Sequence, residues 1–189
     1  MPDATEYSYE WAGLLKQQFE ISGWQVIDLA EEKAVALQVE SVLQNTKSEV
    51  VIFYGHGFPS CMMAQNREEA VINLDNIMLL KDKKVYVMAC WTTQKLGKEA
   101  EKIAHCYLGY DKEVFVWRDD FNCFGKCANQ GIVEMLKNSM CTFEQAEQQI
   151  IAEYNYWIDH FYDKNFALAA DLRHNRDALR LLGDKTAIL

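Results

Sequence analysis

Two kinds of patterning alternate along this 189-residue chain: short apolar runs bounded by polar turns, and stretches whose apolar residues recur every three or four positions. Trp11, Leu14, Leu15, Gln18 and Phe19 fall at helical spacing, and Ser22-Gly23 ends that predicted helix. Trp24-Gln25-Val26-Ile27-Asp28-Leu29 then reads as a strand, and Val35, Val39, Val42 and Leu43 line one face of a second helix. Val50-Val51-Ile52-Phe53-Tyr54 and Lys84-Val85-Tyr86-Val87-Met88-Ala89 are β-branched and aromatic runs. Such runs suit strands buried on both faces of a parallel sheet. Between them, Ser60 to Ala64 and Ala70 to Ile72 flank the polar stretch Gln65-Asn66-Arg67-Glu68-Glu69, a pattern that predicts a hairpin over the rim of the sheet.

Beyond Cys90 the pattern predicts a helix carrying Leu96, Ala100, Ile103, Ala104 and Tyr107. Leu108-Gly109-Tyr110 then turns into a strand from Glu113 to Arg118. Phe124, Cys127, Gly131 and Met135 mark another helix. Thr142-Phe143-Glu144-Gln145 fits a capping box that opens a long helix with Phe143, Ala146, Ile150, Tyr154, Trp157 and Phe161 inward. Leu181 to Leu189 reads as a turn and a short edge strand. The alternation is that of an α/β protein. With no repeat, low-complexity tract or linker, residues 1–189 read as one domain. One feature is out of pattern: the chain opens on a helix where an α/β sheet usually opens on a strand. The expectation is that the missing strand comes either from residues upstream of Met1 in a larger protein or from a second polypeptide, since an uncovered edge is a pairing liability.

Composition narrows the classes. Half of the residues are apolar and the net charge is −9, with no Lys/Arg-rich run. Nucleic acid and anionic membrane both need clustered positive charge, so neither is expected as a partner. No apolar stretch approaches the length of a membrane span. Met1-Pro2-Asp3-Ala4-Thr5-Glu6 is polar and acidic, unlike a signal peptide, which points to a cytoplasmic chain with reduced thiols. Its six cysteines are Cys61, Cys90, Cys106, Cys123, Cys127 and Cys141.

The candidate chemistry lies where the two apolar runs end, the first in Gly55-His56-Gly57 and the second in Cys90. Ligands and chemistry in such sheets sit beyond the carboxyl ends of the strands. A His and a Cys brought to that rim form a candidate base and nucleophile. Cys90 would meet the N-terminus of the following helix, whose backbone N–H groups stabilise a thiolate and an oxyanion. The bland reading is a buried Cys and a stray loop His. Cys123-Phe124-Gly125-Lys126-Cys127 has no second pair at zinc-like spacing, so no metal site is expected. His160 and His174 read as ordinary helix positions. His56-Gly57-Phe58-Pro59 also resembles the oxyanion loop of α/β-hydrolases, but the chain has no nucleophile elbow to go with it.

Tyr54-Gly55-His56-Gly57 after one core strand and Ala89-Cys90 after the next resemble the caspase–hemoglobinase fold, closest to its gingipain-like and CHAT group. Leu96-Gly97, Leu108-Gly109-Tyr110, the segment Asn138-Ser139 to Gln145-Ala146, and Leu182-Gly183-Asp184 agree with that group. The chain departs from it in Trp91-Thr92-Thr93 after the Cys, in Lys185, and in the missing first strand. The resemblance, over residues 10 to 189, implies a three-layer α/β/α sandwich with a mostly parallel sheet. It implies a cysteine endopeptidase acting on a protein or peptide substrate, regulated by a partner chain or by processing, with no cofactor. His56 and Cys90 would be the catalytic dyad. The backbone N–H groups of Gly57 and Cys90 would form the oxyanion site, and Trp91, Asp119 and Asp120 would border the substrate pocket. The alternative is a caspase-like interaction or signalling domain with a silent dyad, an option that Trp91 and the missing strand favour.

Overall fold

A computed structural model of the protein describes residues 4–189, with side chains from Ser8 onward, that of Phe121 excepted. Met1 to Asp3, the first half of the polar leader, lie outside the described residues. In chain order the elements are α1 (Ala4–Ile21), α2 (Ala36–Asn45), β1 (Val50–Tyr54), β2 (Gly57–Phe58), β3 (Cys61–Met63), β4 (Ala70–Asn73), β5 (Lys84–Met88), α3 (Leu96–Ala100), β6 (Cys106–Tyr110), α4 (Phe121–Lys137), α5 (Phe143–Phe161), α6 (Phe166–Ala178) and β7 (Leu179–Gly183).

The protein is mixed α/β, with a four-stranded, mostly parallel sheet in the order β1-β5-β6-β7. β1, β5 and β6 run parallel, Val50 opposite Lys84 and Lys84 opposite Cys106, while β7 returns antiparallel to β6. β5 shows why its sequence lacks polar alternation. Tyr86 and Met88 enter a core with Trp11, Phe124, Phe143, Tyr154 and Leu172, so α1, α4, α5 and α6 cover that face. Val85 and Val87 enter a second core with Met62, Ile72, Leu80 and Leu96, contributed by the small β2-β3-β4 sheet, the 3-10 turn Ile77–Leu80 and α3. Both faces are buried, as continuous apolar strands require. The buried Tyr86 hydroxyl donates to Ala128 O at 2.6 Å, tying the sheet to α4. The Thr142–Gln145 capping box is formed in both directions and starts α5. Among the described residues no helix is long and apolar enough to cross a membrane.

The structure corrects the sequence reading in four places. Trp24 to Leu29 has no regular secondary structure and pairs with no strand. It is held on α1 instead: Trp24 N–H donates to Phe19 O at 3.0 Å, the two rings meet edge-on at 5.6 Å, and Lys16 donates to Asp28 at 2.9 Å. β1 is therefore the edge of the sheet. Cys106 to Tyr110 forms β6, whereas Tyr107 was expected on a helix and Leu108 to Tyr110 in a turn. All five residues are buried, and a short apolar run looks alike in a buried helix and a buried strand.

Glu113 to Arg118 is irregular rather than a strand. The slot beside β6 is taken by β7, and side chains of α6 satisfy this segment's backbone. Asn175, fully buried, accepts from Phe115 N–H at 2.9 Å and donates to Phe115 O at 2.7 Å, while Asp171 accepts from Trp117 Nε1–H at 2.7 Å. At the chain end a full strand, β7, precedes the expected turn, which falls at Lys185-Thr186, and the edge strand expected after the turn is reduced to a single antiparallel bridge of Ile188 with Thr142. The predicted hairpin is present as β3 and β4, with β2 added as a third strand.

Candidate functional site

Parallel pairing of β1 with β5 sets Tyr54 opposite Met88, so the segments that follow leave the sheet side by side at one rim. His56 and Cys90 each lie two residues beyond that pair. Gly55 N–H still bonds Met88 O at 3.2 Å, which keeps the first step of the His56 segment against β5. The two motifs then lock together. A Cβ on Gly57 would lie 2.5 Å from Thr92 Cγ2, 2.7 Å from Cys90 O and 2.9 Å from Ala89 Cβ. Only a residue without a side chain lets the His56 loop approach the Cys90 backbone this closely. Two residues on, the Pro59 carbonyl accepts from both Lys95 N–H and Leu96 N–H at 2.9 Å, satisfying donors at the start of α3. The His56-to-Pro59 segment and the Cys90-to-Leu96 segment are thus one clamped unit.

The strand pairing also orients a donor. Met63 N–H bonds His56 O at 3.0 Å, and Gly57 sits opposite Met62. That arrangement makes Gly57–Met62 a non-hydrogen-bonded pair, so Gly57 N–H points away from β3. Beyond the nucleophile position, Thr93 N–H donates to Tyr110 O at 3.1 Å and Trp91 N–H to Lys112 O at 3.0 Å, pinning the Cys90 loop to the end of β6. Trp91 has φ +59°. For a bulky residue that left-handed conformation costs about 1–2 kcal/mol. Its ring stacks on Phe58, with centroids 6.5 Å apart and planes 14° from parallel.

Cys90 is part-buried and its sulfur accepts from Val114 N–H at 3.3 Å. Burial pushes its thiol pKa up; the Val114 N–H offsets this in part, and the nearby Glu113 carboxylate raises it further. His56 is half-buried with Nε2 out of solvent, and burial holds its imidazole below the usual histidine value. At neutral pH the resting pair is therefore a thiol and a neutral imidazole, not an ion pair. The sign follows directly: alkylation of Cys90 should keep accelerating as pH rises past the ordinary cysteine range, because the thiolate is the reactive form. Glu113→Gln removes a charge that opposes the thiolate, lowers the thiol pKa and makes alkylation faster at pH 7 to 8. Iodoacetamide rates measured against pH, with Cys61 as internal reference, check this; an unshifted profile in Glu113→Gln would count against the electrostatic account.

Asp119 is exposed, and Asp120 is the N-cap residue of α4, whose carbonyl accepts from Cys123. Residues 113–118, which lead to both aspartates, do not continue the sheet. What reaches the thiol from that segment is Val114 and Glu113, which the sequence reading passed over. His174 was read as an ordinary helix residue, yet its Nε2 lies 3.1 Å from Glu113 O and its ring packs on Phe115 at 4.8 Å. Asn175 and His174 of α6 thus carry the segment that touches Cys90. Cys123 and Cys127 are buried on α4 in the core.

No protein-family model matches the chain, and no curated protein or solved structure matches it.

Proposed function

We propose that the chain is a cysteine endopeptidase of the caspase–hemoglobinase type, with a gingipain-like or CHAT-like arrangement and a three-layer α/β/α core. The observation that carries the reading is the clamp between the His56 and Cys90 loops. Gly57 packs against the Cys90 carbonyl, and Pro59 receives two N–H donors from Lys95 and Leu96.

In this mechanism the Cys90 thiol gives its proton to His56 as sulfur bonds to the scissile carbonyl carbon. The N–H groups of Gly57 and Cys90 would bear the developing oxyanion. His56 passes the proton to the leaving amine, which departs and leaves an acyl-enzyme. Water then attacks while His56 takes its proton and returns it to the sulfur, releasing the acid. A neutral resting pair is compatible with this sequence, since proton transfer accompanies attack. The substrate would be a protein or peptide in the cytoplasm, without metal or organic cofactor. The outer side of β1 is where a strand from an activating partner would add.

The test is digestion of a denatured protein mixture, with new N-termini mapped by mass spectrometry. Defined cleavage that is absent with Cys90→Ser supports the proposal. One observation favours a silent interaction domain instead: the Cys90 thiol is held up by burial and Glu113 rather than activated. That reading predicts no cleavage by the folded chain.

A further inference from the structure

We infer that Phe58 and Trp91 form a specificity wall selecting a flat aromatic side chain of the substrate beside the scissile bond, an inference that rests on the peptidase reading above. Each ring belongs to one of the two clamped loops, next to a residue of the reacting unit: Phe58 follows Gly57, and Trp91 follows Cys90. Phe58 leaves 49% of its surface exposed at this rim, although Gly57 before it is buried. A large ring so exposed, backed by a second ring nearly parallel to it, offers an apolar plate where a peptide must pass to reach the sulfur.

The backbone at Trp91 shows that the plate is enforced. Among the described residues, the other non-glycine positions with positive φ are Glu31, Arg67 and Asp82, all charged; Trp91 is the one aromatic among them. Its strained conformation is fixed by Trp91 N–H to Lys112 O and by Gln94 N–H to Trp91 O, both 3.0 Å. Strain of this kind persists where the surrounding structure over-determines it, and it collects at functional sites. Here it sends the indole toward Phe58. The charge at the rim adds a second selection. Glu113 is close enough to raise the Cys90 thiol, so an acidic substrate side chain meets repulsion there. Apolar stacking is what the rim offers, and an aromatic residue exploits it best.

The experiment uses four peptidyl acyloxymethyl ketones that differ only in the residue bearing the warhead: Phe, Ala, Lys or Asp. The second-order rate of Cys90 modification is read by intact mass and peptide mapping. The expected order places Phe about 10-fold above Ala, with Asp slowest. Phe58→Ala should bring the Phe/Ala ratio close to unity. Trp91→Asn should do the same, and asparagine accepts the left-handed backbone, so ring loss is separated from refolding of the loop. A Phe/Ala ratio unchanged in both folded variants, or a fastest rate with Lys or Asp, overturns the inference while leaving the peptidase reading standing. No modification by any probe, in a chain whose Cys90 still reacts with iodoacetamide, overturns that reading and the inference with it.

Discussion

Cys90→Ala should lower peptide hydrolysis by at least about 10³-fold, and His56→Ala should lower it to a similar level. The double variant should be hardly worse than either one, because a nucleophile and its base act as a unit and their losses do not add. The stability effect of Cys90→Ala should be small by comparison. The change removes one sulfur from a part-buried site and leaves Val114 N–H without its acceptor, worth about 1 kcal/mol. For a chain of this size that is a fall of roughly 2–4 °C in Tm. Cys90→Ser keeps an acceptor near Val114, so it should melt closer to the parent while remaining inactive. Near-normal turnover in either single variant, measured on the same peptide, would remove the dyad assignment.

Gly57→Ala should damage the fold and the candidate site together. Two of the three atoms its Cβ would meet under 3 Å, Thr92 Cγ2 and Ala89 Cβ, belong to buried residues; the third is the Cys90 carbonyl oxygen, which is backbone. None is the end of a flexible side chain that can swing aside. The His56 loop must therefore lift from the Cys90 loop, straining the Pro59 bonds to Lys95 and Leu96 as well. Overpacking of this kind costs about 1–3 kcal/mol. A displacement near 1 Å at the reacting groups can cost about 10²-fold in rate. Gly13→Ala is the matched comparison: its Cβ meets nothing within 4 Å on helix α1. It should be neutral or stabilising by about 0.5–1 kcal/mol. Urea titrations of the two variants separate the effects. Gly57→Ala with parental stability and parental rate would mean that the clamp does not matter.

The sequence foretold elements unevenly, for physical reasons that particular residues make plain. Val50 to Tyr54 and Lys84 to Met88 were legible because both their faces pack against a core, in part along Val50 to Tyr54 and fully along Val85 to Met88, which favours continuous apolar composition. The α5 start was legible because a capping box is a local signal. Trp24 to Leu29 carried strand composition, but its partners, Phe19 and Lys16, are on α1, and nothing local to the segment records that. Glu113 to Arg118 was misread because hydrogen bonding by Asn175 and Asp171, 60 and 54 residues away from their partners, replaces a strand neighbour. Helix α6 was not delimited, beyond His174 being read as a helix position, since polar and charged residues dominate its second half. Its signals were present: Asn165 caps Leu168 N–H at 3.2 Å, and Leu168, Leu172 and Asn175 recur on one buried face. At the site, His56, Gly57, Cys90 and Trp91 were visible as strand-end motifs. Glu113 and Val114 were not, because their approach to the sulfur depends on how α6 holds their segment.

The most direct test of the central claim is covalent trapping of the folded protein by a peptidyl acyloxymethyl ketone, mapped to the modified residue. Of the six cysteines only Cys61 and Cys90 are not buried, so the map has two accessible candidates. The account predicts a single thioether on Cys90, formed faster as pH rises, absent at Cys61, and lost in His56→Ala. Modification of Cys61 ahead of Cys90, or no adduct at any pH where the chain stays folded, would contradict it.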